Sequence, residues 1–175
     1  MTADLPPEAA ALRFPPLGNA MLARIGGADV AGDQVFAAIR EHLSAAPVGS
    51  VQLAGAFVPW LAAAVQAAND QSFRFELRDL HPPEGPEVLD LSTEEGAARV
   101  RGMALRHGRG TAKLLVLLAL DGLGTTTISA PGVADPVAVR AGTLVVSPAF
   151  LHLDVAAAGA PLRCLRTTAE GPAFR

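Results

Sequence analysis

The sequence predicts an α+β protein that is mainly β, organised as a sandwich or jelly roll with supporting helices at its N-terminal side. Two segments with helical periodicity come first along the chain, and many short segments with strand character follow them. Half of the 175 residues are hydrophobic and 18% are charged, so the chain can bury a sizeable core. A chain of this length fits one domain.

The N-terminal residues differ in composition from the rest of the chain. Residues 1–18 are acidic and proline-rich, and they lack the basic start of a secretory signal. We therefore expect a flexible arm over residues 1–18 and a single domain over residues 19–175. Directly after the arm, Met21–Ile25 predicts a short strand that ends at the glycine pair Gly26-Gly27.

Two helices are predicted before the strand-rich part begins. Asp33–Ala45 carries its apolar side chains at the spacing of one helical face, and Asp33 is a favourable residue to open a helix. Trp60–Asn69 is the second helix, with Pro59 in its first turn, where proline sacrifices no hydrogen bond. Both helices are expected to pack on one sheet.

Strand patterns dominate the rest of the chain. Phe73, Phe75 and Leu77 alternate with charged residues, which predicts a strand with one buried face. Glycine- and proline-containing turns separate most of the remaining strand candidates. These candidates are Glu87–Leu91, Val100–Leu105, Lys113–Leu120, Thr125–Ser129, Pro136–Val139, Gly142–Ser147, Leu151–Val155 and Leu162–Thr167.

Charge and cysteine content exclude several classes of function. The formal net charge is −3 and lysine and arginine form no run, so no nucleic-acid partner is expected. The longest strongly apolar stretch, Leu114–Leu120, is far shorter than the roughly 20 residues of a membrane-spanning helix, so no membrane partner is expected either. The single cysteine, Cys164, cannot form an intrachain disulfide, which favours a reducing, cytoplasmic location.

One short motif could contribute to a metal site. His152-Leu153-Asp154 is the only His-x-Asp sequence in the chain. A histidine and a carboxylate can supply two ligands of the two-histidine, one-carboxylate triad that holds non-haem Fe(II). No histidine follows Asp154, so a triad that begins with this motif cannot be completed later in the chain.

Several segments of the chain occur together, and in this order, in one known family. They are Asn69–Leu77, Lys113–Asp121, Ala141–Leu151, Arg163 and Glu170–Arg175. The combination resembles Fe(II)/2-oxoglutarate-dependent oxygenases of the prolyl-4-hydroxylase-like branch, over about Met21–Arg175. The resemblance implies a double-stranded β-helix, the cupin-like jelly roll, with supporting N-terminal helices. For active members it implies Fe(II) and 2-oxoglutarate as cofactors.

The residues at the family's iron-binding positions are not histidine or carboxylate in this chain. By the resemblance these positions fall at Arg101 or Gly102, at Met103 or Ala104, and at Leu153. His152 precedes the last position by one residue, and a shift of one residue in a strand turns a side chain to the opposite face. The resemblance therefore implies a lost metal site, no bound cofactor and no catalytic residues. His152 and Asp154 are the nearest remaining ligand candidates.

Arg163 matches the strand arginine with which the family holds the far carboxylate of 2-oxoglutarate. The resemblance makes Arg163 the candidate carboxylate anchor, and a bidentate pair of this kind is worth about 1.5–3 kcal/mol. Arg166 competes for the same position. The alternative is that Arg163 lies on an exposed face of the strand and binds no ligand.

The resemblance and these departures together imply a pseudo-oxygenase that acts as a non-catalytic binding or partner subunit. Its expected partner is a second copy in a homodimer or an active homologue. A small-molecule ligand is a further candidate for binding. One alternative is an active 2-oxoglutarate-dependent hydroxylase of a small molecule or a protein side chain. Its iron would occupy an atypical site formed by His81 or His107 with Asp90 or Glu94. A second alternative is a cupin-like small-ligand sensor without catalysis.

The low charged fraction predicts that some apolar surface is left for a partner. The candidate contact regions are Leu12–Leu17 and the face of the second helix around Val58, Trp60 and Leu61. Tryptophan is enriched at binding hot spots, but it is also highly buried on average. Packing of Trp60 between the helices and the sheet is therefore the alternative.

Overall fold

The computed structural model describes residues 16–17, 25–55, 57–78, 86–106, 112–131, 134–157 and 159–172. Its largest element is an antiparallel sheet of seven strands. Two helices pack against one face of this sheet, and a three-stranded antiparallel sheet packs against the other. The predicted class, mainly β with helices, is confirmed.

The strand order is β1-β2-β8-β5-β10-β4-β3 in the large sheet and β7-β6-β9 in the small sheet, and every pair is antiparallel. The elements are, in chain order, β1 (Pro16–Leu17), β2 (Ile25–Asp29), α1 (Gln34–His42), β3 (Gly49–Ser50), α2 (Phe57–Ala68), a π-helical turn (Asn69–Phe73), β4 (Glu87–Asp90), α3 (Glu94–Arg106), β5 (Ala112–Gly122), β6 (Thr126–Ala130), β7 (Ala134–Val139), β8 (Thr143–Pro148), β9 (Asp154–Ala157) and β10 (Leu162–Glu170).

The apolar strand β5 lies in the middle of the large sheet, between β8 and β10. Successive side chains of a strand point to opposite faces, so β5 contributes to two cores. The core against α1 and α2, here called the helix-side core, takes Leu114, Val116, Leu118 and Leu120. The core between the two sheets, here called the inter-sheet core, takes Leu115, Leu117 and Ala119.

Helix α1 confirms the first predicted helix. Asp33 is its N-cap, and Oδ1 of Asp33 accepts a hydrogen bond from the Val35 N–H at 2.7 Å. Oδ2 of the same carboxylate accepts a hydrogen bond from Nε1 of Trp60 at 3.3 Å, which ties α1 to α2. Phe36 and Ile39 bury the inner face of α1 in the helix-side core.

Helix α2 confirms the second predicted helix, with Pro59 in its first turn. Trp60 and Leu61 are each only 1% exposed and belong to the helix-side core. The prediction that these two side chains contact a partner is therefore wrong, because they pack onto the sheet. In the other predicted contact region, Pro16–Leu17 forms β1, and residues 12–15 lie outside the described part of the chain.

Strand β2 lies further along the chain than predicted. The predicted strand Met21–Ile25 overlaps β2 only at Ile25, and the predicted end at Gly26-Gly27 is wrong because both glycines lie inside β2. Gly26 pairs with Val146 of β8 on one side and with Pro16 of β1 on the other. Pairing on both sides overrides the low strand propensity of glycine.

The segment Phe73–Leu77 alternates in burial as predicted but forms no strand. Its apolar side chains pack against the helix-side core. The backbone hydrogen bonds explain the difference. The N–H and C=O of Phe75 bond the side-chain amide of Asn69 at 2.9 and 2.8 Å, and the Arg78 N–H donates to the Glu170 carbonyl at 2.7 Å. The Asn69 side chain thus takes the place of a neighbouring strand.

Helix α3 is the largest departure from the predicted elements. The strand predicted at Val100–Leu105 is wrong, because Glu94–Arg106 forms a helix. Thr93 caps this helix, since its Oγ1 accepts a hydrogen bond from the Gly96 N–H at 3.0 Å. Two glutamates in the first turn interact favourably with the helix dipole. The Val100 side chain of α3 packs in the inter-sheet core.

Gly96 allows α3 to approach β4 closely, and its replacement tests the position of the helix. A Cβ at residue 96 would lie 2.0 Å from the carbonyl oxygen of Asp90. We therefore expect Gly96→Ala to lower the free energy of unfolding by about 1–3 kcal/mol, although alanine favours a helix elsewhere. Urea denaturation measures the change. The control is Gly55→Ala, where a Cβ meets no atom within 4 Å and stability should stay within about 0.5 kcal/mol. Equal effects of the two substitutions would contradict the contact.

The remaining predicted strands are confirmed in position, except for the start of β9. The strand predicted at Leu151–Val155 begins only at Asp154. The Leu151 N–H donates to the Pro148 carbonyl at 3.1 Å, which closes a turn after β8 and keeps Leu151 out of the sheet. Strand β10 is longer than predicted and continues to Glu170.

Candidate functional site

Strand β10 presents two arginines to opposite faces of the large sheet. Arg163 lies between Leu162 and Cys164, which both belong to the inter-sheet core, so Arg163 faces the helices. Arg166 lies on the same face of β10 as Cys164, towards the three-stranded sheet. The two arginines that compete in the sequence for the carboxylate-anchor position are thus separated by the sheet.

Arg163 holds the C-terminal end of α1 on the sheet. Its NH2 donates to the carbonyls of Leu43, at 2.9 Å, and Ala46, and its NH1 donates to the carbonyl of Ser44 at 3.2 Å. NH1 also pairs with Oδ2 of Asp121 at 3.0 Å. Leu43 is the C-cap of α1, and Ser44 and Ala46 lie in the turn that follows, so the guanidinium is placed near the negative end of the helix dipole, where a positive charge is favourable. The role of Arg163 as a 2-oxoglutarate anchor stays a prediction.

The His-x-Asp sequence is divided between the core and the surface. Leu153 is 1% exposed and belongs to the inter-sheet core. His152 is exposed, and its Nε2 lies 3.5 Å from Oδ1 of the exposed Asp154. In the segment that precedes β9, the leucine therefore points inward and the imidazole of His152 points outward.

Leu153→His tests whether this position alone limits metal binding. We expect the variant to bind no stoichiometric iron, because one imidazole lacks the other two ligands of the triad. Elemental analysis after anaerobic loading with Fe(II) measures the iron, and circular dichroism checks the fold. Leu153→Met, which conserves volume, is the matched control. One iron per chain in the histidine variant, absent from the methionine variant, would contradict this expectation.

The other predicted iron positions do not lie on a strand. Arg101 and Met103 are part of α3, and their side chains lie outside the described part of the chain, as do His81 and His107. Within the residues that the structure describes, no group of three or more His, Cys, Asp or Glu side chains is placed to hold a metal ion.

Asp90 stabilises the turn that leads into α3. Its Oδ1 accepts hydrogen bonds from the N–H and the hydroxyl of Ser92, at 2.9 and 2.6 Å, and from the Leu162 N–H at 3.4 Å. Burial opposes ionisation, but these hydrogen bonds and the charge of Arg163 outweigh it and hold the pKa of Asp90 below its ordinary value. Glu94, the other carboxylate of the alternative iron site, is exposed in the first turn of α3.

A group of charged residues that the sequence does not predict lies on the inter-sheet face of the large sheet; Glu87 and Arg166 are largely buried there, whereas the Arg99 side chain is 37% exposed. Glu87 of β4 is directly opposite Arg166 of β10, and an ion pair joins them. From α3, Arg99 places Nε 3.0 Å from Oε1 of Glu87 and NH2 2.8 Å from Oε2. Glu87 is 8% exposed. These three residues, here called the Glu87 cluster, join β4, β10 and α3. In the sequence, the two-residue spacing of Glu87, Leu89 and Leu91 is the signal that Glu87 shares the inward face of the two leucines.

Buried polar side chains continue along the same face of the large sheet. Thr168 is 1% exposed, and its Oγ1 has no hydrogen-bond partner among the described residues. Ser147 on β8 is buried, and its hydroxyl donates to the Pro148 carbonyl at 3.3 Å. Burial, with smaller effects of Asp90 and Asp121, raises the pKa of the Cys164 thiol far above its ordinary value, so this thiol is neutral.

Comparison with known protein families and with curated proteins finds no match to this chain. The resemblance to the oxygenases therefore stays a prediction that rests on sequence motifs. Among the helices in the described ranges, none has the length and apolar character that crossing a membrane requires.

Proposed function

We propose that this protein is a pseudo-oxygenase: a protein with the fold of the Fe(II)/2-oxoglutarate oxygenases that acts as a non-catalytic binding or partner subunit. The observation that carries the proposal is the position of Leu153. By the resemblance it stands where the family has its last iron-binding histidine, and it is buried among aliphatic side chains. The nearby imidazole of His152 is at the surface.

The order of strand pairing supports the double-stranded β-helix that this proposal requires. The eight successive elements from β4 onwards are β4, α3, β5, β6, β7, β8, β9 and β10. The outermost two of these elements, β4 and β10, pair with each other. Further in, β5 pairs with β8, and the adjacent strands β6 and β7 pair with each other. The second element, α3, contacts the seventh, β9. Nested pairing of this kind is typical of a jelly roll, here with a helix in the place of one strand.

The replacement of that strand by α3 also supports the loss of the metal site. Residues two positions apart share a face on a strand but not on a helix. The spacing of Arg101 and Met103 therefore does not bring two ligand positions to one face of the α3 backbone. Leu153, at the third position, has no donor atom, so this position does not fit an Fe(II) centre.

A non-catalytic subunit acts through its partner, which we propose is a second copy of the chain or an active homologue. Among the described residues, three large apolar side chains are exposed: Val48, Leu123 and Phe150. These three side chains are the candidate contacts for the proposed partner. The proposal includes a cytoplasmic location, which agrees with a cysteine that is a buried free thiol.

Binding of 2-oxoglutarate tests the proposal. In the family the metal chelates one end of this molecule while an arginine holds the other, so loss of the metal removes half of the binding contacts. We expect anaerobic calorimetric titration, with and without Fe(II), to show no affinity tighter than millimolar. Micromolar affinity that depends on Fe(II) would contradict the proposal and favour the active hydroxylase.

The small-ligand sensor is the second candidate, and the buried Thr168 hydroxyl favours it. A buried hydroxyl without a partner costs about 1–3 kcal/mol, and a bound ligand could satisfy it. Light scattering and mass spectrometry of the protein purified from its native host distinguish the two candidates. A homodimer or a co-purified homologue is expected for the partner subunit, whereas a monomer that carries a small molecule would favour the sensor.

A further inference from the structure

We propose that the Glu87 cluster is a carboxylate-binding site that the chain closes with its own side chain. The ligand class is a small carboxylate, and Glu87 occupies the place of that ligand in an autoinhibitory contact. The inference rests on the contacts of this cluster and on the buried hydroxyl of Thr168 on the same face of β10, so it does not depend on the oxygenase resemblance or on a partner.

The contacts around Glu87 are those expected for a bound anion. Arg99 directs Nε and NH2 at the two carboxylate oxygens, at 3.0 and 2.8 Å. This fork geometry matches a planar carboxylate and gives strong, directional hydrogen bonds. Arg166 pairs with Oε1 from the neighbouring strand. Two guanidinium groups therefore face one carboxylate; the side chains of Glu87 and Arg166 are 10% and 11% exposed, and that of Arg99 is 37% exposed.

A second buried polar group lies further along the same face of β10. Thr168 lies two residues after Arg166 on the same face of β10, about 7 Å along the strand. Its buried hydroxyl has no partner in the part of the chain that the structure describes. A carboxylate with a second polar group could bond both the arginines and this hydroxyl.

Glu87 competes with any external carboxylate because it is tethered beside the two arginines. A tethered group acts at a high effective concentration, so free carboxylates at millimolar concentration do not displace it. The site is therefore closed in the wild type and is expected to open when the Glu87 carboxylate is removed.

Chemical rescue of a Glu87 variant tests this proposal. We expect the melting temperature of Glu87→Ala to rise by about 3–6 °C in 100 mM sodium acetate, relative to sodium chloride of equal ionic strength. The wild type and Glu41→Ala, which removes an exposed carboxylate of α1, are expected to change by less than about 1 °C between the two salts. Glu87→Gln fills the same space with a neutral amide, and it should show no acetate effect.

If Glu87→Ala does not fold in chloride, the readout is refolding, and acetate is expected to restore a cooperative unfolding transition. Three results would overturn the proposal. The first is that acetate stabilises Glu87→Ala no more than it stabilises Glu41→Ala. The wild type could gain as much as Glu87→Ala. Finally, Glu87→Ala could fail to fold in both salts.

Discussion

Replacing Trp60 with alanine is expected to lower the free energy of unfolding by about 3–5 kcal/mol, the range for a large aromatic side chain in a core. Trp60 is buried in the helix-side core between α2 and the large sheet. Its Nε1 also donates to the Asp33 carboxylate that caps α1. The alanine variant therefore loses core packing and one contact between the two helices. Urea denaturation at a fixed temperature measures the change.

Two further variants make the Trp60 experiment interpretable. Leu123→Ala removes a fully exposed apolar side chain and is expected to stay within about 0.5 kcal/mol of the wild type. Trp60→Phe keeps an aromatic ring but loses the hydrogen bond, so its stability should lie between those of Trp60→Ala and the wild type. If Trp60→Ala lost less than about 1 kcal/mol, α2 would not be packed as described, and Trp60 would again be a candidate contact for a partner.

Replacing Arg163 with alanine is expected to lower the free energy of unfolding by about 2–4 kcal/mol, since hydrogen bonds that involve a charged group are each worth about 1.5–3 kcal/mol and partial exposure reduces their sum. The variant leaves Asp121 without this ion pair and removes the guanidinium from the carbonyls of Ser44 and Ala46 in the turn after α1, whereas the Leu43 carbonyl keeps its bond from the Ala46 N–H. The loss is local, so amide hydrogen exchange in α1 should accelerate more than exchange in β5. Urea denaturation and exchange mass spectrometry measure the two effects.

Arg140→Ala is the matched control, because Arg140 is exposed beyond the end of β7. Its stability is expected to remain within about 0.5 kcal/mol of the wild type. Arg163→Lys keeps the charge but not the planar fork, so a partial loss is expected. Wild-type stability of Arg163→Ala would show that the α1 contacts contribute nothing, and it would favour the carboxylate-anchor role of Arg163.

Local periodicity was sufficient to predict the elements with strong patterns. Helix α1 follows from the apolar face of Asp33–Ala45, and β5 follows from a continuous apolar run that suits a strand buried on both faces. The opposite directions of Leu153 and His152 match the predicted alternation, although both residues precede β9. Each of these properties depends on neighbours in the sequence, so spacing alone determines it.

Helix α3 was missed because a short apolar alternation is ambiguous. Val100–Leu105 has strand-like spacing, but the helix signal lies earlier, in the capping residue Thr93 and the glutamates that follow it. The segment Phe73–Leu77 shows the opposite case. Its alternation correctly predicts burial, but a strand also requires a neighbour, and Asn69 supplies the backbone partners instead.

The charged contacts could not be predicted from the sequence because they depend on strand register. Arg166 meets Glu87 only because β10 pairs with β4 in one particular alignment. Arg163 reaches the C-cap of α1 and the turn after it only because the helix packs on that face of the sheet. A shift of one residue in β10 would exchange the faces of the two arginines.

Iron content is the most direct measurement of the proposed loss of the metal site. The purified chain is loaded with excess Fe(II) without oxygen and desalted, and iron and protein are then quantified in the same sample. Because Leu153 offers no ligand and the imidazole of His152 is at the surface, we expect no stoichiometric iron, in the wild type as in His152→Ala. One tightly bound iron per wild-type chain, retained after desalting, would contradict the pseudo-oxygenase proposal.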